Sequence, residues 1–384
     1  MKRIFLFMAV AITCLSTSAQ KFEQLAKTPP MGWNSWNKFG CNVSEDLIMG
    51  MADAMASSGM KDAGYEYVVI DDCWQVSRDE KGDIVADKEK FPHGIKYLAD
   101  YIHGKGLKFG IYSCGGSKTC AGRPGGRGHE FQDALMYAHW GVDYLKYDWC
   151  NTTTQDTKAT YITMRDGLYA AGRPIVFSLC EWGSTKPWEW AGAVGHLWRT
   201  TGDIRDSWDS MINIFERQKD LYNYAGPGRW NDPDMLEIGN GKMTTEEYKT
   251  HFSLWCMLAA PLMAGNDLQN MTPDTKAILL NKEIIELDQD ALGKQATCYR
   301  DNGDYQIWVK MLSNDEKAVC LLNKSDEKKS VLVDFALLGG ATSNKLENYR
   351  IRDLWEHKDL VLKDTQTYID LLPHSVKVYR FIKK

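Results

Sequence analysis

Between residues 30 and 290 the sequence alternates short apolar runs with longer amphipathic stretches, and this alternation constrains the fold more than any other feature. Parallel strands need crossover connections, usually helical, so the pattern specifies an α/β protein with a parallel sheet. The strand-like runs fall at 33–36, 68–72, 109–113, 144–148, 175–181, 197–203, 229–234 and 261–264. Between them, Leu47, Met51, Ala54 and Met55 follow a Ser44 N-cap at helical spacing, as Ile95, Leu98 and Ile102 do after Pro92. Eight β/α units match the count and size of a (β/α)8 TIM barrel, about 250 residues. An open doubly wound sheet is the competitor, but no glycine-rich phosphate loop supports it.

What ends these runs carries the functional signal. Trp36, the pair Asp71-Asp72, Tyr112, Lys146 with Asp148, Glu181, Arg199 with Asp203, and Asp232 with Asp234 all fall at or just beyond strand ends. In a barrel those ends converge on one rim, where TIM-barrel active sites lie. Lys146 and Asp148 are two apart and share a strand face, so the ammonium is expected to keep the carboxylate ionised. An isolated Lys-x-Asp is more often a structural ion pair, but this one does not stand alone. Asp71 and Asp72 would face opposite ways in a strand, so at least one is expected to be structural. Asp203, after Gly202, equally suits a helix N-cap.

After Gln295 the pattern changes to alternation at period two, at Tyr305, Ile307, Val309 and Met311, then Val331, Val333 and Phe335, and finally Val376 and Val378. This predicts an antiparallel sheet domain. The expected division is a catalytic barrel over 20–294 and a C-terminal antiparallel β domain over 295–384, closely packed. Residues 1–19 are expected to be a secretory signal peptide: Lys2 and Arg3 precede an apolar run, and Thr17-Ser18-Ala19 offers small residues for cleavage. Cys14 raises a lipoprotein alternative that Thr13 before it disfavours. No other stretch is apolar and long enough to cross a bilayer, so an exported protein, periplasmic or secreted, is expected.

Composition limits the partners. A net charge of -5 with no basic run argues against nucleic acid. The eight histidines are scattered and no Cys or His pair has ligand spacing, so neither a metal nor another cofactor is expected. Ten cysteines in an oxidising compartment permit disulfides, with Cys41, Cys73, Cys120 and Cys150 the candidates for two bridges. Spacing alone leaves their connectivity open. The fourteen tryptophans suit sugar platforms as well as cores, with core packing the commoner use.

Carboxylates, one Lys, one Arg and aromatics on a single rim, with no Ser or Cys nucleophile motif, point to a polyhydroxylated substrate. Two carboxyl groups suffice to cleave a glycosidic bond, one attacking or activating water and the other protonating the leaving oxygen. Asp148 is the expected nucleophile and Asp203 the expected acid.

The chain resembles glycoside hydrolase family 27, the α-galactosidases or melibiases. The resemblance rests on Pro30-Met31-Gly32-Trp33-Asn34-Ser35-Trp36, Ile70-Asp71-Asp72-Cys73-Trp74, Gly110-Ile111-Tyr112-Ser113, Lys118-Thr119-Cys120-Ala121-Gly122, Lys146-Tyr147-Asp148, Cys180-Glu181-Trp182, Trp198-Arg199-Thr200-Thr201-Gly202-Asp203-Ile204, Gly228-Arg229-Trp230-Asn231-Asp232-Pro233-Asp234-Met235 and Asp290-Ala291-Leu292-Gly293-Lys294-Gln295. It implies a (β/α)8 barrel followed by a C-terminal β-sandwich, and release of terminal α-linked galactose with retention of configuration. It places the nucleophile on Asp148, the acid/base on Asp203, and galactose contacts on Trp36, Asp71, Asp72, Tyr112, Lys146, Glu181, Arg199 and Asp234. It also pairs Cys41 with Cys73 and Cys120 with Cys150. Cys114 matches no family disulfide and is expected to be a free thiol. The chain departs from vertebrate members at Gly183-Ser184-Thr185-Lys186-Pro187, so no contact is carried onto Ser184 or Thr185.

Glu181 favours a free 2-hydroxyl, since relatives acting on N-acetylgalactosamine carry smaller residues in this region. A β-L-arabinopyranosidase is the nearest rival, because that sugar is galactose without its C6 group, and Asp71 favours galactose. An inactive sugar-binding protein on the same fold is a rival of another class, disfavoured by the intact Asp148 and Asp203. A metal-dependent hydrolase is disfavoured as well. The motifs leave the leaving group (melibiose, raffinose or galactomannan) and the oligomeric state open.

Overall fold

The computed structural model describes residues 21–335, 349–361 and 364–384, so the expected signal peptide, with Cys14, lies outside the described residues. From the N-terminus, strand β1 (Met31–Asn34) is followed by β2 (Tyr67–Val69), a small hairpin of β3 (Gln75–Arg78) and β4 (Ile84–Ala86), and then β5 (Lys108–Cys114) and β6 (Tyr144–Asp148). Strands β7 (Val176–Cys180), β8 (Leu197–Arg199), β9 (Trp230–Asp232) and β10 (Leu262–Ala264) follow. Eight of these form one parallel sheet in the order β10-β1-β2-β5-β6-β7-β8-β9. The segment after β9 closes it: Leu236 bridges Ala264 in parallel, its N–H donating to Met263 O at 2.8 Å while Gly265 N–H donates to Leu236 O at 3.0 Å. The eight strand-like runs of the sequence correspond to these eight strands.

Alternation along each strand separates two apolar layers. Tyr67, Val69, Tyr144, Val176, Leu197, Trp230 and Met263 pack together in one cluster, the barrel interior. Val68, Phe109, Ile111, Leu145, Tyr147, Phe177, Leu179 and Trp198 pack with the surrounding helices. Ser44 caps the helix Glu45–Ser57, its side chain accepting the Leu47 N–H at 3.2 Å. That helix buries Ile48, Met51, Ala52 and Met55, while Leu47 and Ala54 lie at the margin. The helix Ile95–Gly104 buries the expected Ile95, Leu98 and Ile102. Trp33, Trp74, Trp198, Trp230, Trp255 and Trp308 are fully buried, so core packing is the dominant use of tryptophan.

The C-terminal region begins with β11 (Thr297–Asp301), β12 (Tyr305–Met311) and β13 (Lys317–Asn323), then β14 (Lys329–Asp334) and β15 (Tyr349–Asp353). It ends with β16 (Lys358–Asp359), β17 (Gln366–Leu371) and β18 (Val376–Lys383). An antiparallel sheet of order β11-β12-β13-β18-β15-β16 faces the β14-β17 pair. Ile307, Val319, Leu321, Val331, Val333, Phe335, Ile351 and Phe381 fill the space between, making a β-sandwich.

The helix Thr245–Leu258 joins barrel and sandwich. A capping box between Thr244 and Glu247 starts it, and every residue from Thr250 to Leu258 is buried. The Lys310 ammonium, on β12 of the sandwich, donates to the helix's terminal carbonyls at Cys256 (2.9 Å) and Met257 (3.3 Å). A cation there satisfies orphan carbonyls and opposes the negative end of the helix dipole. Burial nevertheless pushes the Lys310 pKa down to about 8, with Asp288 opposing the fall.

Gly32 is where β1 and β2 approach too closely for a side chain: a Cβ there would stand 2.4 Å from Tyr67 O. Gly32→Ala is expected to cost about 1–3 kcal/mol or more through forced backbone shifts. Denaturant unfolding checks this, and a midpoint unchanged from wild type would refute the close-approach argument.

Candidate active site

The C-terminal strand ends open on a cavity of about 460 Å³, within the range usual for small-molecule sites. Of the ten proposed functional residues, Trp36, Asp71, Asp72, Tyr112, Lys146, Asp148, Arg199, Asp203 and Asp234 line it. Glu181 does not; it is fully buried. The resemblance-implied disulfides Cys41–Cys73 and Cys120–Cys150 are both formed, and Cys114 is free and buried. The bridges tie down the rim, since Cys73 follows Asp72, Cys150 lies just past Asp148, and Cys120 is itself in the cavity wall.

Lys146 departs from expectation. Its ammonium pairs with Asp71 Oδ2 at 2.7 Å, beyond the end of β2 and two strands along the sheet from its own, and lies 5.6 Å from the Tyr112 ring centre. Asp71 Oδ2 also accepts from Asn34 Nδ2 at 2.8 Å. Asp148 is held instead by the Tyr112 hydroxyl, donating to Oδ2 at 3.1 Å, and by the Trp149 N–H, donating to Oδ1 at 2.8 Å. Lys146 still favours the ionised form of Asp148, but burial outweighs it and the Asp148 pKa is pushed up to about 6. Sharing a strand face brought the two groups near each other without making them partners.

Asp71 and Asp72 both reach the cavity, contrary to the alternating-face expectation. The ladder stops at Val69, and a positive φ of 76° at Cys73 turns the chain just beyond. Asp72 Oδ1 accepts the Cys73 N–H at 2.7 Å, and Oδ2 accepts the Ala121 N–H at 2.9 Å. Its pKa is raised, burial outweighing these bonds.

Asp203 is neither at a strand end nor a helix cap. It lies in the loop beyond β8, and the next helix, Trp208–Glu216, is capped by Ser207. Arg199, itself buried, donates from Nη2 to Asp203 Oδ1 at 3.0 Å and pairs with Asp234 Oδ2 at 2.9 Å. The Asp203 side chain is 68 % exposed. Partial desolvation raises its pKa, but Arg199 and Lys146 overcome this and leave it below the usual aspartate value. Asp234 has a φ of 91°, and its N–H donates to Asp232 Oδ1 at 2.9 Å. Strained backbone of this kind persists where surrounding structure over-determines it, as at ligand sites.

Glu181 is supported by a residue that motif reasoning left without a role. Its Oε2 accepts from the Thr185 N–H at 2.8 Å and the Thr185 hydroxyl at 3.0 Å. Its Oε1 is buried with no hydrogen-bond partner. The cavity wall also includes Asn37, Lys38, Trp182, Arg205, Asp206, Met235, Glu237, Asn240 and Lys242, which strand-end reasoning missed because they lie in loops or, for Asn37 and Lys38, in a single helical turn. For Asp206, the signal available in the sequence was its nearness to Asp203.

An eight-stranded barrel whose C-terminal rim gathers carboxylates, the buried Arg199, the largely buried Lys146 and Trp36 is the architecture of a glycoside hydrolase. A family model described as α-galactosidase A matches residues 28–290, and one described as the α-galactosidase C-terminal β-sandwich domain matches 302–381. The chain belongs to this family, the melibiases of glycoside hydrolase family 27. It is 56% identical over 336 residues to α-galactosidase A of Cellvibrio japonicus, covering 85% of this chain and 83% of that protein. It is 46% identical over 357 residues to an α-galactosidase of Cyamopsis tetragonoloba, covering 92% and 86%. The crystal structure of α-galactosidase I from Mortierella vinacea superposes with a TM-score of 0.90 at 39% identity, covering 94% and 98%.

The buried charge at Asp148 has a thermodynamic consequence. Its folded-state pKa, about 6, lies above the ordinary 3.8, so its contribution to stability is intact below 3.8 and lost as pH rises through about 6. Asp148→Asn is expected to be more stable than wild type at pH 8 by about 2–3 kcal/mol, and equal to it at pH 3.5. Denaturant unfolding at the two pH values checks this; an equal gain at both would show that charge burial is not the cause.

Proposed function

We propose that the chain is an exported, retaining, exo-acting glycoside hydrolase that removes terminal α-linked D-galactose from oligosaccharides or galactomannan. The observation carrying this reading is the single cavity in which Asp148 and Asp203 stand among Trp36, Asp71, Asp72, Tyr112, Lys146, Arg199 and Asp234. The α-galactosidase names of relatives 46–56% identical support galactose over the β-L-arabinopyranoside alternative. The two disulfides support export, and no described helix is long and apolar enough to cross a membrane.

In the first step Asp148 attacks the anomeric carbon while Asp203 gives its proton to the leaving oxygen, forming a covalent galactosyl-enzyme. In the second, Asp203 takes a proton from water, which displaces Asp148 and releases galactose in its original configuration. The competent form carries one proton between Asp148 and Asp203. In the free cavity that proton resides mainly on Asp148, whose pKa is the higher. A bound sugar that covers Asp203 and donates hydroxyls to Asp148 shifts it towards Asp203. Once Asp148 becomes a neutral ester, Arg199 and Lys146 still stabilise ionised Asp203 beside it.

Asp71 and Asp72 accept the 4- and 6-hydroxyls in this reading and Trp36 packs against the ring, whereas Glu181, which the resemblance also assigns to the sugar, is buried outside the cavity wall. A site built to bond a hydroxyl rejects an analogue lacking it by about 10⁴–10⁵.

Hydrolysis of aryl α-galactoside, aryl β-L-arabinopyranoside and aryl α-N-acetylgalactosaminide tests the assignment. Wild type is expected to prefer the galactoside and, by NMR of the first-formed sugar, to release the α-anomer. Asp148→Asn should be inactive, and Asp203→Asn slowed about 10²–10⁴-fold. Preference for the arabinoside would defeat the C6 argument, and a β-anomer would defeat double displacement.

The singly protonated pair also sets the pH range. Because Asp148 loses its proton near pH 6, kcat/KM is expected to fall as pH rises above about 6. An optimum above pH 7 would count against the shared proton.

A further inference from the structure

Glu237 lines the same cavity and takes no part in the two-step reaction. It is 4 % exposed, yet both its partners are neutral amides: Oε1 accepts from Asn37 Nδ2 at 2.7 Å, and Oε2 accepts from Asn240 Nδ2. A carboxyl group buried against amides alone is costly, and a core would be served better by an apolar residue. Burial pushes its pKa up to about 7, Asp206 and Asp234 adding to the rise while Asn240 and Asn37 oppose it.

The two amides belong to different rim segments. Asn37 follows Trp36 in the turn after β1, whereas Glu237 and Asn240 lie beyond β9, just past the Leu236 bridge that closes the barrel. Strand β10 runs between them, and Gly265 at its end lets Asn37 come close, since a Cβ there would stand 3.0 Å from Asn37 Cβ. The segment carrying Trp36 is a single helical turn, Trp36–Phe39, whose N-cap Ser35 makes no side-chain capping bond. Such a turn has little intrinsic stability. Two side-chain bonds hold it: Asn34 Oδ1 accepts the Trp36 N–H at 2.9 Å, and Glu237 accepts from Asn37.

We propose that Glu237 is a positioning residue: by clasping Asn37 to Asn240 it fixes the Trp36 ring relative to the loop that carries Asp234, and so sets the width of the sugar subsite. The role rests on reading the cavity as a galactose site. A ring that packs on the sugar in ground state and transition state alike contributes to KM more than to kcat. The clasp does not require a negative charge. A glutamine can accept from Asn37 and donate to Asn240 Oδ1, an atom now without a partner, once the Asn240 amide turns over.

The test is a double-mutant cycle on aryl α-galactoside with kcat and KM measured separately, using Glu237→Ala, Asn37→Ala, the double variant and Glu237→Gln. Each alanine variant is expected to raise KM about tenfold with kcat within about threefold. The double variant should be no worse than either single one, because both break the same link. Glu237→Gln should stay within about threefold of wild type in KM. A KM for Glu237→Ala within twofold of wild type, or single effects that multiply in the double variant, would overturn the clasp. Should Glu237→Ala fail to fold, Asn37→Ala at its half-buried site decides by the same KM criterion, with Glu237→Gln as the control. A wild type that neither cleaves the galactoside nor binds galactose by calorimetry overturns the sugar reading and the positioning role with it.

Discussion

Two cations, the buried Arg199 and the largely buried Lys146, organise everything else in the cavity. Taking an ammonium and a guanidinium out of water is costly unless carboxylates meet them with good geometry. Asp71 meets Lys146, while Asp234 and Asp203 meet Arg199. These pairings tie β6 to the segment after β2, and β8 to the loops on either side of β9. Asp148 is left without a direct cationic partner, buried and held by a phenol and a backbone N–H. Charge is thus paired around Lys146 and Arg199, while Asp148, like Asp72 and Glu237, has no direct cationic partner among the described residues.

The barrel was legible because its strands obey a short-range rule. Apolar runs of strand length, separated by amphipathic stretches, locate all eight strands, and the polar residues ending them locate the rim. The limit of that rule appears at Lys146. Strand periodicity fixes which way a side chain points, but its partner is set by which strands curl towards one another, and that is a property of the closed sheet. Asp71 and Asp72 illustrate the same boundary: treated as strand residues they diverge, whereas the chain had already left the ladder.

Loop residues were the least legible. Thr185 supports Glu181 through a hydrogen bond made possible by a turn whose conformation no periodicity encodes. Glu237 reads in sequence as one acid among many, and its importance emerges only when Asn37, two hundred residues away in the chain, is seen against it. The disulfide pairing came from resemblance rather than from spacing, and the structure forms both bridges.

The Lys310 contact bears on how this chain could have been assembled. The helix Thr245–Leu258 belongs to the barrel wall by sequence order, yet its last carbonyls are satisfied by a sandwich lysine. Excising the sandwich would strip a buried helix end of its donor and expose the apolar surface around Trp308, which packs at a tilt on Phe215 with ring centres 4.7 Å apart. The C-terminal domain is therefore not a module that recombination could exchange freely for another. Any replacement would have to bring its own hydrogen-bond donor and apolar cover to the same helix end, which favours inheritance of barrel and sandwich together.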